Sequence, residues 1–558
     1  MSETFRRYWL GATSATTKRR GGYTVLRASL RLMLAVLLVA VTLSGCGPRE
    51  VEPTAESKPA EPVAEEKQVA PTAEPKEAEP TVEEKEAEAA AEEPVELIWI
   101  MGNPGQVPPD QEMVEEELNK ISVAELNVKM KTLYYDNERT MLALSTGDPW
   151  DMVFTCEWFN NFATQARAGY FADLTDLLPS LTPDLYATMP EIVWEGAKVD
   201  DRIYAIPVKK DYAAELFWVL DKNLFEDTLG MQVPDTMSFF DAEEYLAAAK
   251  KAYEEGVPGA ERAEYPLYIA RGGVGGVTSE FDMIHRGTLL GIPYSAAGSE
   301  DQDKIEIVVE HPDLYDRLVA LHKWYEAGYI NPDAATLDTT ETCAVIWAGQ
   351  GFYGADAIWT QSCGWPVKIS KFSGPHLSTA SIRGAMNAIN ASSPHIELAL
   401  KYQELVNTNK RYRDILRYGV EGVHFNYQED GTVLRTDRGK TSYMPWPFSQ
   451  GSYSLSSVEA AEGVEVDPNM WDVIFDGYKD LKATNAIGFA FDITPVEDKV
   501  AAVQVIVDKY WTGLITGISD PEVEVPKMIA EMEAAGARDI QAEAQKQFDA
   551  FLASKGGQ

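Results

Sequence analysis

Two candidate ligand-binding side chains follow closely after an apolar segment of the chain. Trp158 and Asn160 follow directly after the run Asp151–Thr155. An aromatic ring can stack on the apolar face of a carbohydrate ring, and a planar amide can bind its hydroxyl groups. We therefore predict that both residues contact a small polar ligand. The alternative is that Trp158 packs in the core and Asn160 caps the following helix.

A second set of aromatic residues lies in segments rich in glycine or proline. A folded monomer rarely leaves so many aromatic side chains in loops without burying them against something. We predict that they contact a ligand, or the opposite lobe of a two-lobed fold. The candidates are Trp347, Tyr353, Trp359 and Trp446.

Motifs of catalytic chemistry are absent from the sequence. It has no Gly-x-Ser-x-Gly, no His-Glu-x-x-His and no Gly-x-x-x-x-Gly-Lys-Ser/Thr. Besides Cys46, the cysteines are Cys156, Cys343 and Cys363, whose spacing fits no metal site. We expect three buried thiols, with a Cys343–Cys363 disulfide as the alternative. We predict no catalytic residue, no metal and no cofactor, although carboxylates are numerous enough for a glycosidase pair to occur by chance.

The N-terminal residues indicate export from the cytoplasm. Several arginines precede the apolar run Leu32–Val41, which is shorter than the ~20 residues of a membrane-spanning helix. Leu43-Ser44-Gly45-Cys46 then resembles the lipobox of bacterial lipoproteins. The resemblance implies that residues 1–45 are a signal peptide and that Cys46 carries a lipid. The alternative is a short anchor that is never cleaved.

The composition of residues 46–94 predicts a disordered tether. The segment consists mainly of Glu, Ala, Pro, Lys, Val and Thr and has no aromatic residue, so it cannot bury enough apolar surface to fold. Residues 1–45 contain seven basic side chains and one acidic one. Removing them changes the net charge from −39 to −45. Such an acidic chain disfavours nucleic acid and anionic lipid head groups as partners.

Strands and helices alternate in the folded part, residues 95–558. We predict strands at Val95–Met101, Asn127–Leu133 and Asp151–Thr155, with helices from Asp110 and over Asn137–Ser145. This alternation predicts an α/β fold with a mostly parallel sheet. About 460 residues are more than one core usually serves, so two lobes are expected.

The first half of this region resembles a known family. The segments Ala143–Thr155, Ala168–Pro179, Asp200–Val208 and Tyr212–Leu224 are similar to the first lobe of extracellular solute-binding proteins of ABC importers, and in particular to the sugar-binding group (family 1). In that group a strand of the Gly-x-x-Tyr-x-x-Pro type crosses between the lobes.

The second half resembles one branch of that family. The segments Gly328–Thr336, Met386–Phe425 and Gly488–Asp492 are similar to the LipO-type solute-binding lipoproteins. These proteins carry a C-terminal domain of unknown function, DUF3502, which we place at about 420–553.

The resemblance implies a periplasmic-binding-protein type II-like fold with two lobes, each a mostly parallel sheet flanked by helices. The chain would cross between the lobes near 208–213, 375–387 and 488–495, and a ligand would lie in the cleft. Residues at such crossovers face the cleft, which adds four candidate contacts. They are Asp211, Tyr212, Arg383 and Asn387.

We therefore expect a monomeric solute-binding lipoprotein, anchored on the outer face of the bacterial cell membrane. It would pass a small polar solute to the permease of an ABC importer. An oligosaccharide is the first expectation because of the aromatic side chains, and a peptide or an organic cation remains an alternative. The alternative functions are a surface glycan hydrolase and a glycan-binding adhesin without transport.

Overall fold

The computed structural model describes residues 93–102, 107–299, 301–340, 343–460 and 466–555. The signal peptide, Cys46 and nearly all of the tether lie outside the described residues, as does most of the loop Gly102–Gln106. No helix within the described ranges is long and apolar enough to cross a membrane.

The strands and helices alternate along most of the chain. The strands are β1 (Val95–Gly102), β2 (Val128–Tyr135), β3 (Met152–Thr155), β4 (Lys198–Val199), β5 (Arg202–Ile203), β6 (Ala205–Pro207), β7 (Ala214–Asp221), β8 (Phe281–His285), β9 (Leu290–Pro293), β10 (Glu306–Ile307), β11 (Ile346–Gly351), β12 (Val367–Leu377), β13 (Met386–Ile389), β14 (Phe425–Tyr427), β15 (Val433–Arg435) and β16 (Lys482–Ala483). The α-helices are α1 (Gln111–Leu126), α2 (Asn137–Thr146), α3 (Phe162–Arg167), α4 (Leu177–Leu181), α5 (Pro183–Ala187), α6 (Glu191–Gly196), α7 (Ala242–Glu254), α8 (Pro312–Glu326), α9 (Ala355–Cys363), α10 (Thr379–Ile382), α11 (Ile396–Thr408), α12 (Lys410–Tyr418), α13 (Asp437–Ser442), α14 (Met470–Gly477), α15 (Glu497–Ile515), α16 (Pro521–Ala534) and α17 (Ala537–Lys555).

The first lobe is built on a five-stranded sheet with the order β2-β1-β3-β13-β6. Strand β1 pairs in parallel with β2 and β3, whereas β13 is antiparallel to β3 and β6. The predicted elements between Val95 and Thr155 are confirmed within two residues at each end. The sequence signal differs between these elements: β1 and β3 are short apolar runs because both faces are buried, β2 alternates, and the two helices bury one face each.

The second lobe is built on a four-stranded sheet with the order β11-β7-β12-β16. The prediction of a mostly parallel sheet is wrong for this lobe, because β7 pairs antiparallel with β11 and β12, and only β12 and β16 are parallel. The reason is the path of the chain. Strand β7 begins at the boundary with the first lobe and β12 ends there, so these neighbours must run in opposite directions.

Three connections carry the chain between the two sheets. Residues 208–213 join β6 to β7, residues 378–385 join β12 to β13, and the long segment after β13 leads back to β16 in the second sheet. The first connection packs on the segment that leads to β16, because Tyr212 stacks on Phe475 and lies 4.9 Å from the Tyr478 ring, centroid to centroid. In the second connection, the Thr379 hydroxyl donates to the Ala486 carbonyl.

The two faces of β7 belong to different cores. Trp218 and Leu220 pack with the helices of the second lobe, including α15–α17 at the C-terminal end. Phe217 and Val219 point the other way, into a core that also contains residues of the first lobe. The prediction that Trp218 is a core residue is confirmed, since its side chain is fully buried. Strand β7 therefore links the packing of the two lobes.

The cysteines differ from the expectation. Cys343 and Cys363 form a disulfide, with their Cα atoms 5.5 Å apart, so the prediction of three buried thiols is wrong. Cys156 is a free, buried thiol, and burial raises its pKa to about 12. The disulfide connects the segment before β11 to the end of α9, and it closes a loop that contains much of one wall of the site described next.

Candidate ligand-binding site

A cavity of about 1060 Å³ lies between the two lobes. The second lobe contributes side chains from β7, β12 and α9, and the first lobe contributes the segment 444–448 and Tyr453. The residues just before and at the start of α14 form a third side. This volume is at the upper end of the ~300–1000 Å³ typical of ligand sites, so the cavity is large enough for an extended small molecule.

Aromatic rings form a continuous surface on one side of the cavity. The Trp446 and Phe448 rings are 5.8 Å apart, Phe448 and Tyr453 are 5.1 Å apart, and Tyr453 and Trp471 are 5.3 Å apart, between centroids. Tyr353 lies on the second lobe and is half exposed. A ligand in the cavity therefore meets aromatic faces from both lobes, which suits a molecule with flat apolar faces.

A buried arginine fixes the segment 444–453, which carries Trp446, Phe448 and Tyr453 and is called the aromatic loop below. Arg413 on α12 is fully buried and donates from Nε to the Ser452 carbonyl (2.7 Å). Its other nitrogens donate to the Pro447 carbonyl and to the Gln450 side chain, each at 3.2 Å. Because Arg413 satisfies three acceptors of one loop, it fixes the backbone that carries Trp446 and Phe448.

The predicted contacts Tyr353 and Trp446 line the cavity. Trp158 is 60% exposed, and its ring lies 5.5 Å from the Trp446 ring, so it extends the aromatic surface beyond the cavity. Trp347 and Trp359 lie behind the wall, with their rings 5.0 Å apart, and Trp359 is buried.

The predicted polar contacts lie mostly elsewhere. Asn387 is buried in β13 and accepts from Trp99 Nε1 at 3.1 Å. Arg383 donates to the carbonyls of Gly196 and Lys198, and Asn160 is buried at the end of β3. The structure does not bring these three residues to the cavity, because each satisfies buried groups of the first lobe.

The predicted residues of the first connection are also buried. Asp211 lies 3.5 Å from the Lys210 amine, and burial raises the pKa of its carboxyl group. Tyr212 stacks on Phe475, as described above. Neither side chain lines the cavity.

Sequence reasoning missed the arginines of the segment Arg411–Tyr418. Arg413 and Arg417 are one helical turn apart on α12, so they share a face, and both are buried. Their spacing beside Tyr412 and Tyr418 was a usable signal. A hydrophobic pattern does not reveal such buried arginines, because arginine is usually a surface residue.

One histidine has the partner that the sequence did not reveal. His424 is fully buried, accepts from the Val420 amide at Nδ1 and bonds to Asp110 through Nε2 at 3.0 Å. Arg438 also contacts Asp110, and together they lower the pKa of that carboxyl group to about 2. The pair ties α1 to the turn before β14 and does not line the cavity. No group of three or more metal-ligating side chains occurs within the described part of the chain.

Comparisons with known proteins find chains of similar sequence and fold. A carbohydrate ABC transporter substrate-binding protein of Streptococcus pneumoniae serotype 4 (strain TIGR4) is 24% identical over 467 residues, which cover 81% of this chain and 90% of the relative. The crystal structure of the N-glycan transport solute binding protein NgtS from Streptococcus pneumoniae has a TM-score of 0.72 and 22% identity, over 83% of this chain and 99% of that chain. The structure of NgtS in complex with Man5GlcNAc has a TM-score of 0.63 over the same shares, again at 22% identity.

The fold is therefore that of the two-lobed solute-binding proteins. Residues 485–553 match the family model described as "Domain of unknown function (DUF3502)", which covers α15, α16 and nearly all of α17. The sequence resemblance to the DUF3502-carrying solute-binding proteins is confirmed.

Proposed function

We propose that this protein is the solute-binding component of an ABC importer and that it captures an oligosaccharide in the cleft between its lobes. The observation that carries the proposal is the cavity of about 1060 Å³ with aromatic side chains from both lobes. Trp446 packs on Phe154 of β3 in the first lobe, whereas Tyr353 directly precedes α9 in the second. One ligand can therefore stack against both. The glycan complex of the similar NgtS structure supports the same class of ligand.

Ligand binding then favours closure of the lobes. A molecule that contacts both walls binds the closed arrangement more tightly than the open one, and this difference in affinity shifts the equilibrium. The connections 208–213 and 378–385 are the hinge in this proposal, because they alone join the two described sheets before α11. The closed form is the one that a permease would recognise.

The proposal also includes the anchor. Cys46 carries the lipid at the outer face of the cell membrane, the acidic tether holds the folded body away from the bilayer, and the protein acts as a monomer. A membrane-anchored receptor stays close to its permease, whereas a receptor without an anchor would diffuse away from the cell. Mass spectrometry of the purified membrane-bound protein tests this part, because a diacylglycerol adduct on Cys46 supports it and an unmodified N-terminus contradicts it.

The binding function is tested by calorimetric titration with neutral oligosaccharides, including Man5GlcNAc. We expect that Trp446→Ala and Tyr353→Ala each weaken binding about tenfold, because each removes one stacking face of ~1.4 kcal/mol. Phe240→Ala is the matched control, since Phe240 is an exposed aromatic residue of the second lobe outside the cavity. Equal affinities for all four proteins would contradict the site.

The same samples separate a receptor from an enzyme. After prolonged incubation, chromatography of the glycan should recover it unchanged. Shorter products that disappear in the Trp446→Ala protein would favour the glycan hydrolase instead.

A further inference from the structure

The charged side chains around the cavity are unequally available to a ligand. Three of its basic residues are paired with carboxylates. Lys371 lies 2.8 Å from Glu215, Arg435 lies 3.0 Å from Glu459, and Lys368 lies 3.7 Å from Asp235. Each of these cations has a carboxylate within 4 Å, which reduces the net attraction that the cation exerts on a second anion.

The fourth basic residue of the wall is also engaged. Arg417 is 8% exposed and donates to the hydroxyls of Ser456 and Tyr453, each at 2.8 Å. Its guanidinium group lies between the rings of Tyr453 and Tyr418, at 4.1 and 4.7 Å from their centroids. It therefore stabilises the wall. Its third donor, Nε, has no hydrogen-bond partner among the described residues, but this atom is buried and is not exposed to a ligand in the cavity.

Two carboxylates of the wall have no such partner. Asp356 is in the first turn of α9, and Asp467 lies just before α14 and accepts from the Asn469 amide. Both line the cavity, and neither forms an ion pair with any residue that the structure describes. The nearby Lys210 does not compensate them, because it faces Asp211 and the Phe448 ring.

We propose that the cleft selects uncharged glycans and rejects glycans that carry a carboxylate, with Asp356 and Asp467 as the selecting residues. This inference rests on the proposed function, since it assumes that the cleft holds a glycan. An acidic sugar in the cavity meets two carboxylates that form no ion pair, whereas the wall's cation without an ion pair, Arg417, is only 8% exposed. The site is partly shielded from water, so like charges repel more strongly there than in bulk solvent. The charge of the whole chain acts in the same direction.

The test compares a neutral glycan with the same glycan carrying carboxylates. The neutral probe is Man5GlcNAc, and the acidic probe is the same glycan with its terminal C6 hydroxyl groups oxidised to carboxylates. For the full-length protein at low ionic strength, we expect the acidic probe to bind at least about tenfold more weakly. The difference should shrink in high salt.

Charge variants show whether the effect is local. In the double variant Asp356→Asn/Asp467→Asn, the acidic probe should regain most of the lost affinity while the neutral probe changes little. The control Asp316→Asn/Asp498→Asn removes the same net charge from exposed positions on α8 and α15, outside the cavity, and should leave the difference in place.

The outcomes separate the two claims. If neither probe binds, the glycan function itself fails and this inference falls with it. If the neutral probe binds and the acidic probe binds equally well or better, only the selectivity is overturned. Equal recovery in the control variant would also overturn it, because the effect would then come from the total charge.

Discussion

Removing the Cys343–Cys363 disulfide should lower the free energy of unfolding by an amount that depends on the length of the loop that the disulfide closes. The two cysteines are 20 residues apart in sequence, and the bond between them limits the conformations of the unfolded chain. For a loop of this length the chain-entropy relation gives about 3 kcal/mol. We therefore expect Cys343→Ser/Cys363→Ser to lower the free energy of unfolding by about 3 kcal/mol.

Urea unfolding of oxidised and reduced protein measures this effect. A thiol-free phosphine should lower the stability of the natural protein by about the same amount, and should leave the double variant unchanged. Cys156→Ala is the matched control, because that buried thiol closes no loop. The Cys156→Ala protein should keep its full response to the reductant.

Two results would refute this reasoning. One is a stability of the natural protein that does not respond to reductant. The other is a thiol titration of the denatured protein in which reduction adds no thiol groups, where the disulfide requires two more. The loop also contains Tyr353 and α9, so reduction should weaken glycan binding as well.

Three further predictions concern buried polar groups. Arg413→Met should lower the free energy of unfolding by about 3 kcal/mol and weaken glycan binding, because the Ser452 and Pro447 carbonyls lose their donor. Urea unfolding measures the first effect and calorimetry the second. Unchanged binding would contradict the role of Arg413 in the site. Asn387→Ala should lower the free energy of unfolding by about 2 kcal/mol, since the Trp99 indole loses its acceptor, and should leave glycan affinity unchanged. A loss of affinity at unchanged stability would instead make Asn387 a ligand contact. Asp282 on β8 is buried, and burial raises the pKa of its carboxyl group to about 6, above the value in the unfolded chain. The contribution of the protonated carboxyl group to stability is therefore lost as pH rises through 6, and the natural protein should lose about 1 kcal/mol of stability relative to Asp282→Asn between pH 5 and pH 7. Parallel pH profiles of the two proteins would refute this.

The sequence was sufficient for the elements whose burial follows a simple period. From Val95 to Thr155 the strands are short apolar runs or alternate, the helices have one apolar face, and the predicted bounds lie within two residues of the observed ones. The aromatic side chains in the Gly- and Pro-rich segments also gave a usable signal, since Tyr353 and Trp446 line the cavity. Both cases depend on local composition, which a single sequence displays directly.

The remaining features depend on contacts between distant segments. Asn387 and Arg383 lie at or beside a connection between lobes, but the sequence does not tell which side of the connection each one faces, and both face the interior of the first lobe. The direction of β7 relative to β12 follows from where the chain crosses, which composition does not encode. The disulfide is a similar case, because three cysteines allow three pairings and only the fold brings Cys343 to Cys363.

The central claim is that one glycan contacts both walls of the cleft, and hydrogen–deuterium exchange tests it most directly. With Man5GlcNAc at saturation, amide exchange should slow both in residues 444–453 of the first lobe and in residues 353–361 of the second. Protection of only one of these segments, or of neither, would contradict the account.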